Sequence, residues 1–200
     1  MAMEFFNQAL FLVLNAGAYP PSWTLVVATA LAEAAIGLIP LTLLFGWLRG
    51  TAAARRVMLE ATASGVLAIL SNQLVDLVWQ HPRPFMIGLG HTYLAHAADS
   101  SFPSDHLSLW WAVSFTFVLH RRTRIAGWVL SMAGLSIAWS RIYLGVHFPL
   151  DMAGSAVFAI SSALLCKGSR AWLVEPLFPW AMATHRKLMA PWIKLGWVLE

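Results

Sequence analysis

The chain has 200 residues, of which 59% are hydrophobic and only 11% charged. A soluble domain carries about 25% charged residues, so this composition excludes an ordinary soluble globular domain and fits a protein that crosses a bilayer several times. The net charge of +4 says less than where the basic residues fall, and the single cysteine, Cys166, excludes an intrachain disulfide.

A spanning helix needs about 20 mostly apolar residues, and the chain offers its candidates in order. The opening MAMEFFNQALFLVLNAGAYPP has no basic n-region and carries Glu4 where Lys or Arg is expected, so a cleaved signal peptide is not expected. Phe5 to Ala16 is apolar but short; residues 1–21 read as an interfacial or re-entrant segment, with a sixth short span as the alternative. Five spans follow: Trp23 to Leu48, Val57 to Trp79, a short one from His106 to Leu119, Ile125 to Leu144, and Phe148 to Cys166. Residues 171–200 mix Trp172, Trp180, Trp192 and Trp197 with Arg186, Lys187 and Lys194, which suits an amphipathic tail on the cytoplasmic leaflet. Without repeats, low-complexity tracts or a long linker, residues 1–200 read as one membrane domain. The fold class expected is all-α, a polytopic transmembrane bundle of five to six spans.

Orientation follows from the basic loops. Arg49, Arg55 and Arg56 lie between spans one and two; Arg121, Arg122 and Arg124 between spans three and four; Lys167 and Arg170 follow span five. Alternating spans put all of these on one side, expected to be the cytoplasm. Trp23, Trp47, Trp79 and Trp128 sit near span ends, as an aromatic belt would.

The unusual residues fall in the two loops of the opposite side. One reads HPRPFMIGLGHTYLAHAADSSFPSDH and the other contains SRIYLGVHFPLD. Ionisable groups at membrane depth are costly and usually face a polar cavity. Together these loops supply Arg83, Ser104, His106, Arg141, His147 and Asp151. Two arginines suit an anion with several oxygens, because a guanidinium fork matches phosphate. Two histidines suit one nucleophile or base and one acid. His147 and Asp151, four apart, would share a helix face, letting the carboxylate fix the imidazole tautomer. Ser104 and the backbone N–H groups opening span three could cradle phosphate oxygens. His81, His91, His96, His120 and His185 carry no such pattern and read as solvated loop histidines. Glu33 and Asp76 lie within spans; each reads either as a group at the cavity rim or as an interhelical hydrogen-bonding partner, with Asn72 or Gln73 to hand.

Three motifs carry a resemblance. Arg83-Pro84, Pro103-Ser104-Asp105-His106, and Ser140-Arg141 followed at family spacing by His147 and Asp151 resemble the signature of the type-2 phosphatidic acid phosphatase superfamily, which includes lipid phosphatases and vanadium haloperoxidases. The likeness covers roughly residues 20–165, and HPRPF, HAADSSFPSDH and AWSRIYLGVHFPLDM look most like the bacitracin-resistance type of undecaprenyl-diphosphate phosphatase. It implies that His147 attacks phosphorus, Asp151 orients it, His106 serves as acid and then base, and Arg83, Ser104 and Arg141 hold phosphoryl oxygens. It implies no metal and no other cofactor, an isoprenoid diphosphate in the bilayer as substrate, and a site facing the periplasm or outside. No nucleic-acid partner is expected. The same motifs would serve a phosphatidylglycerophosphate, phosphatidic acid or lipid A phosphatase, or a phosphotransferase. A non-catalytic phospholipid-binding protein is the alternative of another class. The chain departs from the signature at position 76, where the family's lysine is replaced by Asp76. Asp105, an acid in the second motif, is expected to point away from the pocket or to pair with an arginine.

Overall fold

The computed structural model describes residues 2–199, all helix and loop. Ser22–Arg49 (α2), Ala52–Val78 (α3), Arg124–Tyr143 (α5) and Pro149–Gly168 (α6) are long and apolar enough to cross a membrane. Asp105–Leu119 (α4) has only 15 residues. The five expected spans are therefore present as helices, but the third is too short to qualify on length. It lies at the centre, wrapped by α3, α5 and α6, with Leu107, Trp110, Trp111, Val113 and Phe117 buried. Two of its hydroxyls are satisfied locally: Ser114 and Thr116 donate to the carbonyls of Trp110 and Ala112, four residues back, at 2.7 and 2.8 Å.

Lipid tails are as apolar as leucine, so close packing and not water exclusion holds such helices together, and small residues mark the contacts. A Cβ at Gly127 of α5 would strike the α4 backbone at Phe117 and Val118. Trp110 and Trp111 of α4 reach across to donate to the Leu130 and Ser131 carbonyls of α5. The outward faces carry Leu41, Phe45, Leu70, Leu74, Val129 and Val157, large apolar side chains left exposed. Such a surface suits lipid and would be a liability in water.

α2 is broken in the middle. It runs as α-helix over Ser22–Thr29, widens to a π-turn over Ala30–Ala34, tightens to a 3-10 turn over Ala35–Gly37, and resumes over Leu38–Arg49. Pro40 explains the position: it has no N–H for the carbonyl of Ile36, and its ring crowds the preceding turn. Carbonyls loosened by the break are free for other donors, and Ala32 uses its own to accept from Arg141 at 3.3 Å.

The two ends of the chain sit at opposite ends of the bundle. Ala2–Leu14 (α1) lies at the end carrying the two motif loops, where Asn7 accepts from the Leu150 N–H and Asn15 bonds to His91 and Tyr143. After the single turn Arg170–Leu173 (α7), Phe178–Lys194 (α8) lies at the end with the basic loops. The tail does not simply rest on a surface. The Leu199 N–H donates to the Leu48 carbonyl, and the Leu199 carbonyl accepts from Arg55 at 2.6 Å and from His185 at 2.9 Å.

One reading of a loop residue is corrected by this end, that of His185. Arg55, counted between the first two expected spans, is fully buried and also donates to the Trp47 carbonyl. His185 is likewise buried, its other ring nitrogen accepting from Trp47. The cause is the returning tail, which covers them.

Candidate active site

The stretch SRIYLGVHFPLD turns the chain from α5 into α6 with two successive caps. At its start, Val146 N–H bonds to the Arg141 carbonyl and Gly145 N–H to the Ile142 carbonyl, the paired bonds of a glycine-terminated helix. Gly145 takes φ of +82°, and a side chain there would also strike the His91 carbonyl. At its end, Pro149 occupies the first helical position and Asp151 reaches back to accept from the Phe148 N–H at 2.7 Å. His147 is held between these caps, 2% exposed.

The dyad forms as the spacing predicts. His147 Nδ1 lies 3.2 Å from Asp151 Oδ2 and 2.9 Å from the Ser101 carbonyl, two acceptors that fix the proton on Nδ1. The lone pair therefore sits on Nε2. Arg83 Nη1 approaches that nitrogen at 3.0 Å and Arg141 Nη2 at 3.4 Å. Burial first, then the Arg141 and Arg83 guanidiniums, hold the imidazole well below its ordinary pKa, so it is neutral at pH 7.

Arg83 is fixed at every nitrogen: Nε donates to Asp99 at 2.8 Å, Nη1 to the Val146 carbonyl and Nη2 to the Ser100 carbonyl, both at 2.9 Å. Arg141 is less tied, and its Nε is buried without a partner among the described residues. Ser104 caps α4. Its N–H is taken by Ser155, whose hydroxyl also donates to the Ser104 carbonyl, while Ser104 Oγ is buried and has no partner among the described residues. A cavity of about 400 Å³ opens over Nε2, walled by Arg83, Arg141, His106, His147, His96 and Asp76, with Asp99 and Asp105 also on its surface. The structure thus brings together Arg83, His106, Arg141 and His147 on the wall, with Asp151 behind His147 and Ser104 beneath the α4 N-terminus.

Two expectations are revised, for Asp105 and His96. Asp105 neither turns away nor meets an arginine: it lines the cavity and accepts from Asn72 at 2.7 Å and Gln73 at 3.4 Å. Those amides are therefore spent on Asp105 and not on Asp76, which stands at the cavity wall, the rim position foreseen as one option. His96 is not a solvated loop histidine but part of the wall, its ring 6.1 Å from that of His147.

Sequence reasoning passed over Ser101 and Asp99. The Ser101 hydroxyl donates to Asp151 Oδ2 in a very short bond and so shares the carboxylate with His147. Asp99 anchors Arg83. Their only signal was position, within the polar run ADSSFPSDH between two motifs.

A model of the PAP2 superfamily matches residues 56–174, more than half of the chain and all of the turn from α5 to α6 just described. The chain belongs to the PAP2 superfamily. It is 31% identical over 99% of its length to YbjG of Escherichia coli K12, covering all of that protein, which is named provisionally as an undecaprenyl-diphosphatase. It is 37% identical to the undecaprenyl-diphosphatase BcrC of Bacillus subtilis, over 77% of this chain and 79% of that one. Among solved structures, LpxE of Aquifex aeolicus superposes with a TM-score of 0.68 at 21% identity, covering 82% of this chain and 95% of that one. A PAP2-type phosphatidylglycerolphosphate phosphatase of Bacillus subtilis gives 0.56 at 20%, covering 84% and 85%. Both structures share the helical fold. The superfamily member described here is thus a multi-pass membrane protein with the expected phosphatase architecture.

Proposed function

We propose that this PAP2 enzyme hydrolyses undecaprenyl diphosphate to undecaprenyl phosphate and inorganic phosphate, recycling the cell-wall lipid carrier at the outer face of the bacterial inner membrane. The observation that carries the chemistry is the convergence on His147: Nδ1 tied to Asp151, and Nε2 left with the lone pair, facing two guanidiniums that a phosphate would draw to itself. The substrate is supported by the diphosphatase names of relatives that match most of the chain. The basic loops at the far end of the bundle support an outward-facing site by the positive-inside rule.

In this reading the terminal phosphoryl group enters the cavity with its oxygens on Arg83, Arg141 and the unpartnered Ser104 hydroxyl. Nε2 of neutral His147 attacks phosphorus in line. The P–O bond to the bridging oxygen breaks, and His106, protonated, gives its proton to the departing undecaprenyl phosphate. Asp151 stabilises the cationic ring of the phosphohistidine. Neutral His106 then takes a proton from water, whose oxygen attacks phosphorus and returns the bond pair to Nε2. The arginines stabilise charge that grows in both transition states, the largest contribution such sites usually make.

The test is phosphate release by the purified protein in detergent with EDTA present. Undecaprenyl diphosphate, phosphatidylglycerophosphate and phosphatidic acid are compared, with His147→Ala as control. Preference for the isoprenoid diphosphate, lost in the variant, is the expected result. Preference for a glycerolipid would discard the physiological role and keep the mechanism. No release from any of them would sink the hydrolase reading.

A further inference from the structure

A diphosphate brings two phosphates into a cavity that has no third arginine or lysine on its wall. Arg83 and Arg141 both aim at His147 Nε2 and are committed to the phosphoryl group under attack. Position 76, where the family signature has a cation, is Asp76 on the cavity wall. Gln73 points its amide at Asp105. The remaining cation-forming groups on the wall are His106, which serves the bridging oxygen in the mechanism above, and His96.

We propose that His96 receives the second, lipid-linked phosphate of the substrate and so sets the preference for diphosphates over phosphate monoesters. The geometry favours its Nε2 as the contact. Nδ1 lies 3.2 Å from the Ala97 carbonyl and 3.7 Å from Asp99 Oδ1, so Nδ1 carries the proton and Nε2 is left for the cavity. Asp99 also holds Arg83, which couples the two phosphate contacts through one carboxylate. Protonated, the ring offers a second N–H at Nε2 while Nδ1 keeps its acceptors.

The charges around His96 make it responsive to ligand. Arg83, Arg141, His106 and His147 face it as cations or potential cations, Asp99 lies beside it, and Asp76 and Asp105 share the cavity. Burial, then Arg83, lower its pKa in the empty cavity, favouring the neutral ring. A phosphate dianion reverses that balance and draws a proton onto Nε2. Diphosphate binding should therefore weaken as pH rises and protonation becomes harder.

The inference rests on the diphosphatase reading, and the experiment separates the two. His96→Ala and His96→Gln are purified, and KM and kcat are measured on undecaprenyl diphosphate and phosphatidic acid. Inhibition by inorganic pyrophosphate and by phosphate is measured in parallel. His96→Ala should raise KM for the diphosphate and weaken pyrophosphate inhibition by about tenfold or more, the worth of one hydrogen bond to a charged group. It should cost phosphatidic acid turnover and phosphate inhibition far less than it costs the diphosphate, and flatten the pH dependence of diphosphate KM. His96→Gln, which keeps a donor, should recover part of the affinity. Equal losses on both substrates would mean that His96 merely supports the His147 ring, and would overturn the proposal. So would unchanged pyrophosphate inhibition in a wild type that does cleave the diphosphate. A wild type that cleaves only monoesters would overturn the diphosphatase reading itself, and the proposal with it.

Discussion

The bundle holds a buried carboxylate–imidazole pair at each end, and only one of them makes a site. At the motif end, Asp151 meets His147; at the basic end, Glu60, fully buried, meets His120 at 2.7 Å, with Arg170 3.7 Å from its other oxygen. The residue types are the same: an acid, a histidine and arginine. The difference lies in which nitrogen is used and what faces the other. Asp151 takes His147 Nδ1 and leaves Nε2 turned toward two guanidiniums and a cavity. Glu60 takes His120 Nε2 itself, and His120 is not on the wall of the cavity that His147 lines. A histidine held by a carboxylate becomes a nucleophile candidate only when its second nitrogen has somewhere to react.

The sharpest way to break this comparison is to remove each histidine. His147→Ala should lower kcat about 10³-fold or more, as loss of a covalent nucleophile does. His120→Ala should leave the turnover of the folded protein unchanged. Phosphate release from equal amounts of folded protein, checked by size-exclusion profile, reads both. Comparable losses would collapse the distinction between the two ends.

Arg83→Gln comes next. It removes the guanidinium beside Nε2 and also the partner of Asp99, and should cost about 10²–10³ in kcat, typical of one donor to a transition-state oxyanion. A change confined to KM would instead mean that Arg83 only gathers substrate.

The pH profile sharpens the comparison from another direction. His147 must be neutral to attack, and its pKa is held well below the ordinary histidine value by burial and the two arginines. Protonation therefore stops the reaction only on the acid side, at a pH below the usual histidine range. Loss of the His106 proton limits the alkaline side. The profile of kcat on undecaprenyl diphosphate, which reports the substrate-bound enzyme, should be bell-shaped, and a flat profile from about pH 5 to 9 would contradict the paired roles.

What the sequence disclosed followed from conspicuousness. An arginine, a histidine and an aspartate amid apolar runs stand out because hydrocarbon makes them costly, so Arg141, His147 and Asp151 were legible at once, as were most of the spans. Ser101 and Asp99 were not, because a serine or aspartate in a polar loop breaks no pattern. His96 looked like any loop histidine until the chain placed it over His147. The burial of Arg55 was hidden as well: an arginine just before a span normally reaches water, and only the return of residues 197–199 buries it. Glu60 was passed over, although it lies inside the second expected span, and its partners lie 60 and 110 residues away. The same holds for the central placement of α4, whose short length gave no hint that neighbours surround it.

The smallest effect tests the quiet end of the comparison. Glu60→Gln keeps the shape of the side chain but removes the charge that His120 and Arg170 face. The pair is buried on the Glu60 side and partly exposed on the arginine side, where solvent weakens the attraction. A loss of about 1–3 kcal/mol is expected, the usual cost when a buried hydrogen-bonded group loses its proper partner. It should appear as a lower melting temperature in detergent, with kcat and KM of the surviving folded protein unchanged. His120→Ala should melt earlier by a similar amount, and the double variant should show less than the sum, because both single changes break the same contact. Additive losses would mean that Glu60 and His120 act on separate partners. A fall in kcat would mean that the two ends of the bundle communicate, and that the basic end is more than a clasp.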